Sequence, residues 1–213
     1  QVAQVLVNLG GDDARDVLIE VALSEGHTSS TVIQALQQLR SPEVTDALLE
    51  IARHGRAVDR RAVLPALVKA GHEEAIGLAI ELTERGSRQD KLDAIRMLGD
   101  TNAPEARAAL VRIAEGASGQ ARTFALDVLA QATPDDPAVT QMLADALFSG
   151  RGDEASQAAW ILGRLGNEDA RSALLAALRG DDTALAQAAL GALSQTGSAA
   201  TVRTALVGLA RNG

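Results

Sequence analysis

Residues 158–182 read "AAWILGRLGNEDARSALLAALRGDD": two short apolar stretches joined by the polar turn "GNED" and closed by Gly180. In the second stretch Ala170, Ala173, Leu174 and Ala177 stand at i, i+3, i+4 and i+7, the spacing that gathers apolar side chains on one face of a helix. A two-helix unit this short cannot bury such a face by itself, so it has to stack on neighbours. The unit recurs along the chain. Gly26, Gly55, Gly86, Gly116, Gly150, Gly180 and Gly213 each close an apolar helical segment, at intervals of 29, 31, 30, 34, 30 and 33 residues. The segments before them include "ARDVLIEVALSEG", "VTDALLEIARHG", "ARSALLAALRG" and "VRTALVGLARNG", the first with Ala14, Val17, Leu18 and Val21 at the same helical spacing. A partner stretch precedes each one, and turns such as "GGDD", "RSPE" and "TPDDP" carry the breaker and capping residues. The expected fold is all-α: an α-α superhelix of about seven helical hairpins forming one domain over 1–213, with units near 1–26, 27–55, 56–86, 87–116, 117–150, 151–180 and 181–213. The seven glycines are expected to cap their helices in the left-handed conformation that costs glycine no side-chain clash.

Composition agrees with aliphatic helix packing. Hydrophobic residues make up 46% of the chain and aromatics only 1%, so Ala, Leu, Val and Ile carry the core. The net charge is -8, with 13 basic against 18 acidic residues in 1–116 and 7 against 10 in 117–213. Neither part offers the clustered Lys and Arg that phosphate recognition needs, which disfavours nucleic acid and anionic membranes as partners. Without cysteine there is no disulfide, thiolate metal site or cysteine nucleophile, and the compartment stays unspecified. The sequence holds neither a long apolar run of membrane-spanning length nor a charged-then-apolar leader. The chain opens "QVAQVLVNLGGDD", without Met and inside an apolar helical pattern, which points to a piece of a longer or processed protein whose ends lack polar capping repeats.

The stretch "LGRLGNEDARSALLAAL" at 162–178 resembles the short HEAT-like repeat also found in phycobilin lyases, and "AVLPALVKAG", with Pro65 inside it, looks like the proline-bearing first helix of HEAT repeats. Tetratricopeptide and ankyrin patterns do not fit, lacking respectively patterned aromatics and a "TPLHxA" stretch.

Aligning the second helices places Glu20, Glu50, Glu81, Arg112, Asp145, Ala176 and Gly208 in one polar column. One turn earlier stand Asp16, Asp46, Gly77, Ala108, Gln141, Ser172 and Thr204. Because second helices line the concave face of HEAT-like solenoids, the resemblance implies that Asp16, Glu20, Asp46, Glu50 and Glu81 form an acidic ridge, costly in like-charge repulsion unless cations or a basic partner relieve it. A solvated face that only confers solubility is the plainer alternative. A further column, Arg15, Thr45, Ile76, Arg107, Thr140, Arg171 and Arg203, is expected to pair with adjacent acids or with the preceding repeat. The three aromatics, Phe124, Phe148 and Trp160, are expected to fill space between the fifth and sixth units.

Catalytic templates fail on inspection. "HEEAI" at 72–76 has Ile76 where a zinc-protease helix needs its second histidine, and His27, His54 and His72 share no ligand spacing. "GRGDEA" at 150–155 follows a helix rather than the strand a dinucleotide fingerprint requires. The expected function is therefore a non-enzymatic scaffold, without cofactor, metal or small-molecule substrate, that binds a basic segment of a protein partner along the concave face. Two alternatives follow from the resemblance: a phycobilin-lyase-like chromophore-handling subunit, and an enzyme like the HEAT-like DNA glycosylases. Both would want basic and aromatic groups where this ridge is acidic.

Overall fold

The computed structural model describes residues 2–24, 30–39, 41–150 and 152–196, and among these there are thirteen α-helices and no strand. They run as α1 (Val2–Leu9) and α2 (Asp12–Ser24), α3 (Ser30–Gln38) and α4 (Pro42–His54), α5 (Ala57–Lys69) and α6 (Glu73–Arg85), and α7 (Arg88–Gly99) and α8 (Pro104–Gly116). Then follow α9 (Gln120–Ala132) and α10 (Pro137–Ser149), α11 (Asp153–Leu165) and α12 (Glu168–Arg179), and α13 (Thr183–Thr196). The expected final helix "VRTALVGLARNG", together with Gly26, His27, Arg203, Thr204, Gly208 and Gly213, lies outside the described residues.

Local chemistry starts these helices where it does. Ser41 accepts from the amide of Val44 ahead of α4, and Pro42, whose missing N–H costs nothing there, takes the first helical position. Ser87 and Asp90 form a reciprocal capping box on α7. Asp136 caps α10 by accepting from Ala138, and Asn167 caps α12 by accepting from Ala170.

The chain divides into two compact units, Gln1–Ala106 and Arg107–Gly213. In the first, α1, α3, α5 and α7 pack in succession as one layer, and α2, α4 and α6 as another. In the second, α9, α11 and α13 make one layer and α10 and α12 the other. Within each unit the contacts run mainly between hairpin partners and nearest repeat neighbours, the stacking expected of quasi-one-dimensional repeats. Leu18, Leu36, Leu64 and Leu98 are fully buried in the first unit, and Leu126, Leu143, Leu162 and Leu174 in the second. Alanines with no exposed surface, such as Ala75, Ala94, Ala125 and Ala158, let the helices approach closely.

Polar side chains tie repeat to repeat. Arg107 reaches Thr133 at 3.2 Å and the capping carboxylate of Asp136, both in the following hairpin. Thr140, buried at the matching position of α10, accepts a 3.1 Å bond from Asn167, the cap of α12. Arg15 pairs with Asp12 and Asp16 on its own helix and lies 3.7 Å from Glu43 at the start of α4. Arg15 thus pairs with adjacent acids, one of the two expected partners, while the contacts between repeats point forward, to the start of the next second helix, rather than to the preceding repeat. The reason is that a side chain in the first turn of one second helix faces the capped N-terminus of the next. At the same register Ile76 is buried and Arg171 is exposed. Arg122 joins four helices of the second unit, donating to the carbonyl of Ala114 at 3.0 Å, to Ser149 at 3.4 Å and to Glu154 at 3.1 Å.

The closing glycines differ from expectation. Gly55, Gly86, Gly150 and Gly180 do cap their helices, but with extended backbone rather than left-handed. At Gly55 and Gly150 the requirement is space, because a Cβ would stand 2.4 Å from the carbonyl oxygen of Ile51 or Ala146. Positive φ occurs instead at Gly10, Gly71 and Gly166, where the chain turns tightly from first to second helix, and at Gly119 and Gly152, just before α9 and α11.

The capping box also makes a pH-dependent contact. The hydroxyl of Ser87 at 2.6 Å, then the Arg61 guanidinium at 2.7 Å, hold the Asp90 carboxyl below its usual range. A carboxylate depressed in the folded state contributes its full stabilisation above the unfolded value near 4 and loses it as the pH falls through the lower folded value. Asp90→Asn therefore destabilises the protein at pH 7, and its deficit relative to wild type shrinks as denaturant unfolding is repeated down to about pH 3. A deficit independent of pH would show that the charge is not what acts.

Candidate functional site

The five carboxylates picked out by register lie on the solvent side of the α2, α4 and α6 layer, opposite the buried Leu18, Leu48 and Ala79. Asp16, Glu20, Asp46 and Glu81 are exposed and Glu50 is partly so. They are not a bare row of like charges. Arg15 takes Asp16 at 2.8 Å, while Glu50 lies 3.4 Å from Arg53 and 3.6 Å from His54. Arg53 also pairs with Glu74, so one guanidinium joins α4 to α6. Glu20, Asp46 and Glu81 are left without a basic side chain within ion-pair distance among the described residues. The face carries its own partial neutralisation at Asp16 and Glu50 and unanswered charge at Glu20, Asp46 and Glu81.

Glu81 stands between two hollows in the first unit. One, of about 320 Å³, is lined by Arg53, Arg60 and Arg85 as well as Glu81 and Asp90. The other is an open groove of about 800 Å³ beside α6, with Ile76, Leu78, Ile80 and Ala103 as its apolar lining and Glu73, Glu74, Glu81 and Glu105 as its acidic members. Register analysis named Glu81 but missed the groove. A signal was present: Gly77 occupies the position that Asp16 and Asp46 hold in earlier repeats, and a glycine in mid-helix leaves room where the others place a side chain.

Two expectations from the sequence need correction. Val17 and Val21, expected on the buried face of α2, are 44% and 40% exposed, and Val2, Val5 and Leu9 of α1 are exposed too. Their counterparts one repeat later, Ala47 and Ile51, are 4% exposed each. Nor do Phe148 and Trp160 fill a gap between repeats: they are 53% and 46% exposed, and only Phe124 is partly buried. Aliphatic side chains already fill the second unit's core, so the larger rings stand outside it. Trp160 carries the Arg164 guanidinium 4.8 Å from its ring centroid, and Arg164 reaches on to Asp127 of α9.

His72 stands at the N-cap position of α6 without making a side-chain cap, and His54 ends α4. Among the described residues no group of three or more His, Asp or Glu side chains is arranged to hold a metal ion, and no helix is long and apolar enough to cross a membrane.

Residues 155–180, which cover most of α11 and α12, match the PBS lyase HEAT-like repeat. No curated protein matches the chain. Among solved structures it is similar to human deoxyhypusine hydroxylase in complex with glycerol, at 16% identity over 91% of this chain and 88% of that one with a TM-score of 0.43. It is also similar to an engineered protein, at 18% identity over 96% and 98% with a TM-score of 0.38. The helices and the match at 155–180 agree: α11 and α12 form a HEAT-like repeat, set in an all-α chain of stacked helical hairpins.

Proposed function

We propose that the chain is a non-catalytic scaffold that holds a basic segment of a partner protein against the outer face of α2, α4 and α6. The observation that carries this reading is the set of unanswered carboxylates, Glu20, Asp46 and Glu81, repeated on successive second helices of one unit. Regular stacking sets such groups at a repeating interval, which suits an extended chain better than a compact small molecule. Arg15 and Arg53 neutralise Asp16 and Glu50 on α2 and α4, next to Glu20 and Asp46, and so limit the repulsion on this face. Exposed charges of this kind act mainly on encounter rate and partner choice, so binding weakens as salt is raised.

The test is a quantitative pull-down from source lysate with the wild-type chain and with a variant in which Asp16, Glu20, Asp46, Glu50 and Glu81 are all changed to Lys. Both are first shown to be equally helical. A basic protein held by the wild type, released by salt and lost from the variant supports the reading. Identical sets of captured proteins would sink it, leaving the acids as a solvated face.

A further inference from the structure

We infer that the groove beside α6 is the anchoring subsite of this face: it takes one aliphatic side chain of an extended segment whose neighbouring Lys or Arg residues meet the surrounding glutamates. This rests on the proposed scaffold function and adds to it a sequence preference that charge alone does not supply. The groove, at about 800 Å³, is of the size of clefts that bind ligands, roughly 300–1,000 Å³. Its lining divides by chemistry. Leu78, Ile80 and Ala103, each partly exposed, offer an apolar surface that gains from being covered, with the buried Ile76 behind them. Glu73, Glu81 and Glu105 make no ion pair among the described residues, while Glu74 is already held by Arg53. An occupant that answers both parts is apolar at its centre and cationic on either side. A purely basic segment would leave the lining wet, and a purely apolar one would leave three carboxylates unanswered.

Gly77 makes the room. It lies in the middle of α6 with φ outside the left-handed region, so the helix does not need a glycine there, and an added Cβ would meet nothing within 4 Å. Gly77→Leu therefore puts an aliphatic side chain into the groove while leaving the acidic residues themselves unchanged. Because glycine is a poor helix former, the variant melts at or above the wild-type temperature. Gly77→Ala, which adds only that unobstructed methyl, is the folding control.

The probes are two fluorescein-labelled peptides, Lys-Lys-Leu-Lys-Lys and Lys-Lys-Gly-Lys-Lys, titrated by fluorescence anisotropy with the full chain. The wild type binds the leucine peptide about tenfold more tightly, as burial of one aliphatic side chain allows. Gly77→Ala keeps a preference for leucine. Gly77→Leu removes it and holds the two peptides with the affinity the wild type has for the glycine peptide. Equal affinity of the wild type for both peptides, or a leucine preference that survives Gly77→Leu, overturns the inference. If the two bind equally and that binding disappears when Asp16, Glu20 and Asp46 are changed to Lys, the anchoring subsite fails while the acidic face stands. If neither binds even at low salt, both fail.

Discussion

Ile51→Glu destabilises the protein by at least about 3–5 kcal/mol, enough to unfold much of a marginally stable domain, whereas Val58→Glu costs no more than about 0.5–1 kcal/mol. Both are β-branched aliphatic residues, on the neighbouring helices α4 and α5. What separates them is burial. Ile51 is 4% exposed, and a carboxylate there would be stripped of water. Val58 is 60% exposed, so a glutamate in its place keeps its hydration. Chemical denaturation of the two variants against wild type checks this. Equal losses would contradict the burial of Ile51 among the stacked helices.

Leu174→Ala costs about 2–5 kcal/mol, through lost transfer energy and the cavity left behind. Its side chain is 1% exposed in α12, between the buried Ala170 and Ala177, and the surrounding helices are held by their own contacts and cannot close the gap. Glu50→Ala is the companion measurement. Its carboxylate is about half exposed and paired at 3.4 and 3.6 Å with side chains that are themselves exposed, so removal costs less than about 1 kcal/mol. Comparable falls in melting temperature for the two variants would contradict the assignment of inner and outer faces.

The hairpins and their inward faces were legible in the sequence, because helical periodicity is a local property. Leu18, Leu48 and Leu174 could each be placed in the core from the four or five residues around them. Periodicity could not tell which neighbour covers each side of a helix. Val17 and Val21 carry the same apolar spacing as Ala47 and Ile51 in α4, yet they are 44% and 40% exposed where those two are 4% exposed. Glycine shows the same limit. Both kinds of glycine follow a helix and look alike in sequence, but Gly71 is needed for its left-handed turn and Gly55 for the nearness of the Ile51 carbonyl.

For the candidate site, register identified Asp16, Glu20, Asp46, Glu50 and Glu81 as facing solvent on the second helices, since exposure follows from the helical repeat. It did not reveal that Arg53 bridges α4 and α6, because long guanidinium side chains choose partners in three dimensions. The groove escaped for a related reason. Its acidic members come from two ends of α6 and the start of α8, and its space comes from the side chain that Gly77 lacks. The exposed Trp160 shows the converse, since a rare aromatic in an aliphatic sequence reads as a filler of space and is instead held at the surface against Arg164.

The measurement that tests the scaffold most directly is site-specific photo-crosslinking to the captured basic partner, with the photoreactive residue placed singly at Asp46 on α4, or at Gln34 or Ala66, which are exposed on α3 and α5 of the other layer. The account predicts cross-links to the partner from position 46, lost when salt is raised, and none from 34 or 66. Cross-links from the first helices with none from position 46 would contradict it and move the binding surface to the opposite layer.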